Sequence, residues 1–171
     1  MRIYSLLAAI LLFCNQSFSQ DFNVPAGYQF NSKEDFSKYE PDVLAASKWL
    51  LATPFNEQEA KRKDVFSFIF AWVSGASNVD VEINPTVMDF EKKNPGMLPV
   101  YIAASLKCVM ENNYSKDMKA KHTYAMHEMI KVYKAGKGIK KDKKMEKLIK
   151  ADEEGKLDEW LAENMKFEER H

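Results

Sequence analysis

The class of fold is indicated most clearly by the run Val65-Phe66-Ser67-Phe68-Ile69-Phe70-Ala71-Trp72-Val73. A helix that is apolar on nearly all sides is normally buried on most of them. Asp64 and Asn78 bound the run too closely for a bilayer-spanning helix of about 20 residues. Asn56 and Glu59 have the spacing of a capping box, which predicts where this helix starts. The run therefore predicts the central core helix of an all-α domain, with the lining of a hydrophobic ligand site as the alternative.

Turn signals divide the rest of the chain into further helices. The predicted helices cover residues 41–52, 85–93, 99–111, 115–135, 141–152 and 156–165. Pro41 suits the first turn of a helix, because the amide hydrogen that proline lacks would have no partner there. Val79, Val81 and Ile83 alternate with acidic residues, but one isolated strand has no pairing partner, so we predict an extended connector. The chain is expected to form an all-α single-domain bundle of about six or seven helices.

A short internal similarity relates two of these helices. Leu44-Ala45-Ala46-Ser47 is followed 58 residues later by Ile102-Ala103-Ala104-Ser105, and each copy begins a helix, a turn and a longer helix. A duplicated hairpin would give stacked helical hairpins, in a tetratricopeptide-like or α-solenoid-like arrangement. The 34-residue tetratricopeptide pattern itself is not satisfied. Coincidence among common residue types is the alternative.

The first nineteen residues are typical of a secretory signal peptide. Arg2 precedes an uncharged apolar run, and Ser17 and Ser19 are the small residues that a signal peptidase accepts before a cut at Gln20. We therefore expect a signal peptide over residues 1–19, an irregular N-terminal arm over 20–40 and a helical domain over 41–171. Lipidation of Cys14 is disfavoured, because bulky Phe13 precedes it. Cys108 is expected to be a small buried hydrophobe in the exported chain.

Several stretches support export by resemblance. They are Val24-Pro25-Ala26-Gly27-Tyr28, Glu40-Pro41-Asp42-Val43, Asn112-Asn113-Tyr114-Ser115-Lys116-Asp117, Lys131-Val132-Tyr133-Lys134 and Gly138-Ile139-Lys140-Lys141-Asp142. Together with the signal peptide, they make the chain resemble a group of exported helical proteins of Bacteroidetes-type bacteria. The resemblance covers most of the exported chain. It implies export and assigns no catalytic residue.

Composition and charge exclude some classes of protein. The 171 residues are 46% hydrophobic, which is too apolar for a disordered chain, and the net charge is zero, which argues against a nucleic-acid-binding protein. The charge is nevertheless segregated. Residues 115–150 hold twelve lysines and four acidic residues, whereas the chain after residue 150 is acidic. The basic segment 115–150 could bind a protein or an anionic component of the cell envelope, or it could be a solvated helix surface that the acidic end partly neutralises.

Motifs of common chemistries are missing from the sequence. His122 and His127 are five residues apart, so they point about 140° away from each other around a helix and do not form the i, i+4 pair of a helical metal site. We therefore assign no catalytic, cofactor-binding or metal-binding residue and expect no cofactor. The remaining enzymatic alternative is a catalytic or small-ligand site around His122 and His127, with Tyr124 and Glu128 on the same helix.

These observations favour a non-enzymatic function. We expect an exported interaction or structural module of the cell envelope, secreted or periplasmic, without a transmembrane span once the signal peptide is removed. An exported immunity or inhibitor protein that caps one partner is the second hypothesis.

Overall fold

The computed structural model describes residues 21–165, and within this range the chain is helical without any strand. The helices are α1 (Lys33–Ala52), α2 (Glu59–Val73), α3 (Pro85–Lys93), α4 (Met97–Glu111), α5 (Met118–Ala135), α6 (Lys143–Glu153) and α7 (Leu157–Asn164). The predicted all-α bundle of six or seven helices is confirmed. The predicted signal peptide, Cys14 and the cut at Gln20 lie outside the described residues.

The first helix begins earlier than predicted. Ser32 caps α1, since its Oγ accepts a hydrogen bond from the Asp35 amide at 3.2 Å while Asp35 Oδ2 accepts one from the Ser32 amide at 3.0 Å. Pro41 lies inside α1, and the predicted start at residue 41 is wrong. Pro41 is tolerated there on the exposed side, where water can bind the Ser37 carbonyl that loses its helical donor. The irregular arm therefore ends at residue 31, and the predicted range of 20–40 is too long.

The predicted role of the aromatic run is also wrong. Val65, Phe68, Ile69 and Trp72 are buried, but Phe70 is 45% exposed, so α2 is amphipathic and covers the core from one side. The predicted capping box is missing as well. Gln58, in a left-handed conformation with φ of 51°, precedes α2, and its side chain makes no capping hydrogen bond.

The central helix is α4. Every residue from Val100 to Leu106 is buried, because α4 packs against α1, α3 and α5 at once. Ala103, Ala104 and Ser105 are small, which lets neighbouring helices approach closely. Over its whole length α4 is also the more apolar helix, because α2 begins with the charged stretch 59–64. The prediction was wrong because it considered the aromatic run of α2 without that charged first part.

Helices that follow each other along the chain contact in three pairs: α1 with α2, α4 with α5, and α6 with α7. The first two pairs meet where α1 packs on α4, so the helices that carry the two similar tetrapeptides contact each other. Helix α3 lies against α4 and reaches α7, where Phe90 and Trp160 stack with centroids 6.4 Å apart. These contacts agree with stacked hairpins, while a true 58-residue repeat stays a prediction.

Two non-helical segments are held by side chains from the helices. The arm over 21–31 places Phe22, Tyr28 and Phe30 around Phe68 of α2, with ring centroids 5.0 to 6.2 Å away. The connector turns at residues 77–78 and then runs over 79–84 without pairing to any strand of the described chain, as predicted. No helix between residues 21 and 165 has both the length and the apolar character needed to cross a membrane.

Candidate functional site

His122 is a buried residue of the helical core. It lies on α5 and stacks on Tyr101 of α4, with ring centroids 6.0 Å apart and planes inclined by 12°. The His122 Nδ1 atom is 2.6 Å from the Tyr101 hydroxyl, which also lies 3.0 Å from the Glu82 carbonyl oxygen of the connector. The hydroxyl has one proton, so both contacts are hydrogen bonds only if it donates to Glu82 and His122 donates from Nδ1.

The electrostatic environment keeps His122 neutral. The pKa of His122 is lowered to about 4. Burial is the main cause, and the neighbouring cation Lys121 is the second. Burial also raises the pKa of Tyr101 far above its ordinary value. Lys121 itself is buried and donates from Nζ to the Asp80 carbonyl at 2.5 Å. This cluster therefore fastens the extended connector to α4 and α5, and it explains how carbonyls of an unpaired extended segment are satisfied.

The other residues of the predicted catalytic or small-ligand site lie apart from His122. His127 is exposed, and its Nε2 is 2.9 Å from Asp152 Oδ1 on α6. The Tyr124 hydroxyl accepts a hydrogen bond from Lys107 of α4, and Glu128 pairs with Lys131 at 3.6 Å. The four residues of the enzymatic alternative share a helix but converge on no common space, in agreement with the angular separation of the two histidines.

Neither Cys108 nor the acidic side chains form a recognisable reactive centre. Cys108 is half-buried and has no disulfide partner in the described chain. Burial raises the pKa of the Cys108 thiol and is the largest effect on it, while the positive charge of Lys107 acts in the opposite direction. Across residues 21–165, no three His, Cys, Asp or Glu side chains are grouped so that they could hold a metal ion.

Half of the lysines in the basic segment 115–150 pair with carboxylates. These pairs are Lys119 with Asp158, Lys131 with Glu128, Lys134 with Glu153, Lys137 with Glu57, Lys144 with Asp89, and Lys150 with Glu154. Three of the six partners belong to the acidic end of the chain. Partial neutralisation by that end is therefore real, and the remaining positive charge is spread over several lysines of the segment.

One cluster of lysines, which we call the lysine patch, consists of Lys93, Lys141, Lys143 and Lys144. These residues surround a shallow depression of about 600 Å³ where the end of α3 meets the start of α6. Asp89 and Asp142 are the only acidic side chains that line it within the described structure. Three of these lysines belong to the basic segment predicted from the sequence. Lys93 was missed, because it lies far from that segment along the chain and only the fold brings it close.

Both aspartates of the depression are already engaged. Lys144 and Lys92 share Asp89 and lower its pKa, while Asp142 Oδ1 accepts a hydrogen bond from the Lys144 amide at 2.8 Å as the cap of α6. The patch keeps its shape because Asn94 binds the loop before α6 through two hydrogen bonds to the Lys140 backbone, at 2.7 and 3.0 Å. The depression thus presents more positive than negative charge on a well-anchored backbone.

Comparison with protein-family models, with curated proteins and with solved structures finds no match for this chain.

Proposed function

We propose that this protein is an exported, non-enzymatic interaction module that binds an acidic segment of a partner protein through the lysine patch. The observation that supports the proposal most is the position of Lys143 and Lys144, in the first turn of α6. The positive end of the helix dipole disfavours cations there by about 0.3–1 kcal/mol each. Lys144 is compensated by its ion pair with Asp89, but Lys143 has no ion pair in the described chain. A residue such as Lys143, which disagrees with the local helix electrostatics without compensation, is a candidate for a functional role.

The mixture of signs within the patch favours a protein over a uniform polyanion. Asp89 and Asp142 lie among the lysines, so a dense negative surface such as an anionic membrane would be repelled at those two points. A protein can place its own carboxylates and amides to match both signs. Lysine, as a flexible point charge, suits contacts of this kind better than bidentate recognition.

The binding test uses a synthetic peptide rich in glutamate and aspartate, titrated into the purified chain at low and high salt. We expect binding that weakens as salt rises, because exposed charges are screened. The double variant Lys141→Glu/Lys143→Glu should lose at least nine tenths of the affinity. The control Lys33→Glu/Lys116→Glu makes the same change in net charge at exposed lysines outside the patch, and it should bind nearly as the wild type does.

Two outcomes would contradict the proposal. Equal losses in both double variants would mean that only net charge matters, and tighter binding to anionic vesicles than to the peptide would point to a membrane surface. Stability provides an independent check, since Lys143→Glu replaces a cation by an anion at the start of α6. We expect this substitution to stabilise the fold by about 0.5 kcal/mol while it removes binding.

A further inference from the structure

A second concave surface lies on another part of the bundle. It is a groove of about 530 Å³ between α2 and the first turn of α4. Its apolar walls are formed by Phe55, Phe66, Leu98 and Pro99. The apolar surface continues one turn along α2 to Phe70, whose ring lies 5.7 Å from that of Phe66. A volume of several hundred cubic ångströms with mainly apolar walls is typical of small-molecule sites.

A buried guanidinium lies in this groove. Arg62 of α2 is only 9% exposed and stacks on Phe55 at 5.2 Å. Its Nη1 atom donates to two carbonyls at the end of α1, those of Leu50 at 3.0 Å and Thr53 at 2.6 Å. These bonds use two of the five N–H groups of arginine. Nε and Nη2 make no hydrogen bond to residues 21–165, the guanidinium forms no ion pair with a carboxylate of this range, and neither nitrogen is sealed from water.

The acidic residues of the groove do not neutralise Arg62. Glu91 is occupied, because its Oε2 accepts hydrogen bonds from the amides of Gly96 at 2.9 Å and Leu98 at 2.8 Å and so caps the start of α4. Glu59 is exposed at the rim, with Lys63 one turn further along α2. A largely buried positive charge without a counter-ion is less favourable than a paired one, and an anion that enters the groove would compensate it.

We propose that the groove binds a small amphiphilic monocarboxylate. Its carboxylate accepts hydrogen bonds from Nε and Nη2 of Arg62, in the fork geometry that suits a planar anion. Its apolar body lies along Phe66, Leu98 and Pro99. Glu59 and Glu91 would repel a second negative charge, which favours a carboxylate over a phosphate dianion.

Three eight-carbon probes test the charge requirement in calorimetric titrations of the purified chain. Octanoate, octanol and octylamine share the same apolar body and differ in the head group. We expect octanoate to bind at least tenfold more tightly than octanol, since hydrogen bonds between charged groups are the strong ones, and octylamine not to bind. Inorganic phosphate, which lacks an apolar body, should not bind either. Equal affinities for octanoate and octanol, or no octanoate binding up to about 10 mM, would overturn the proposal.

Variants locate the site. Leu98→Trp fills part of the groove and leaves Arg62 unsubstituted, and it should reduce octanoate affinity at least tenfold. Met88→Trp adds the same ring at an exposed position outside the groove and should leave that affinity unchanged. Unchanged octanoate binding in Leu98→Trp, or an equal loss in Met88→Trp, would refute the location.

A third variant tests the role assigned to Arg62. Arg62→Lys keeps the charge and removes the planar fork, so octanoate affinity should fall while octanol affinity stays the same. If Arg62→Lys fails to fold, the Leu98→Trp and Met88→Trp comparison still decides the proposal. Binding of the acidic peptide to the lysine patch should be unaffected by Leu98→Trp, so the two proposals fail independently.

Discussion

The neutral, buried His122 predicts a specific loss of stability in mildly acidic solution. Its pKa is about 4 in the folded chain, against an ordinary value of 6.5 that we take for the unfolded chain. The unfolded state therefore binds more protons than the folded state between these values. The stabilising contribution is complete above pH 6.5 and is lost as the pH falls toward 4.

The expected size follows from the two pKa values. Between pH 7.5 and pH 5, the free energy of unfolding should fall by about 2 kcal/mol, and the full loss below pH 4 should approach about 3 kcal/mol. Losses of this size are a large part of the 5–15 kcal/mol that stabilises a typical domain. The carboxylates with lowered pKa values, such as Asp35, Asp89, Glu111 and Glu154, contribute at lower pH, because their ordinary values are 3.8 and 4.5.

Urea unfolding at several pH values between 7.5 and 5 measures this effect. The variant His122→Gln has no titrating ring and should show a dependence on pH that is weaker by about 2 kcal/mol over this range, although it is less stable than the wild type at pH 7.5. His127→Gln, which removes an exposed histidine from the same helix, should retain most of the wild-type dependence. If the wild type and His122→Gln have parallel pH profiles, the reasoning is refuted. Nitrogen chemical shifts should show a neutral ring with its proton on Nδ1 at pH 6.

Two substitutions and one sequencing experiment test three further predictions. Ser47→Ala should raise the free energy of unfolding by about 1 kcal/mol in urea titrations, because the buried Ser47 hydroxyl has no hydrogen-bond partner in the described chain and alanine favours the helix; a loss of stability would contradict this. Gly96→Ala should destabilise the fold by at least about 2 kcal/mol, since φ is +112° and a Cβ atom would lie 2.9 Å from Phe55; an unchanged melting temperature would refute that conclusion. N-terminal sequencing of the exported protein should begin at Gln20, and retention of residues 1–19 would disprove the signal-peptide prediction.

The sequence was most informative about the ends of helices, because capping and turn residues nearby decide where a helix starts and stops. Helix α3 starts at Pro85 and ends at Lys93 as predicted, because the Asn84 side chain caps it and Asn94-Pro95-Gly96 cannot continue it. Helix α5 ends at Ala135 because Gly136 adopts a left-handed conformation, with φ of 72°. At α1, the prediction preferred a proline to the Ser32 cap that lies nine residues earlier. Competing local signals of similar strength therefore explain the main error in helix boundaries.

The candidate surfaces were only partly accessible to sequence reasoning. The excess of lysine over 115–150 was evident, but the lysine patch forms only because the fold brings Lys93 of α3 beside the start of α6. Arg62 gave no signal, since one arginine in a charged first turn is typical of a solvated helix. Arg62 is buried because the end of α1 covers it. The carbonyls of Leu50 and Thr53 thereby come within hydrogen-bond distance of Nη1.

The sequence by itself determined the helical class of this protein and the places where most helices stop, because turn residues and apolar spacing act over a few neighbouring positions. Only the tertiary structure decided that α4 packs against α1, α3 and α5 at once, that His122 is buried beside Tyr101, and that Lys93 joins lysines of α6. Each of these facts depends on contacts between residues far apart in the chain. Such contacts arise from the packing of whole helices, and local composition does not encode which faces meet.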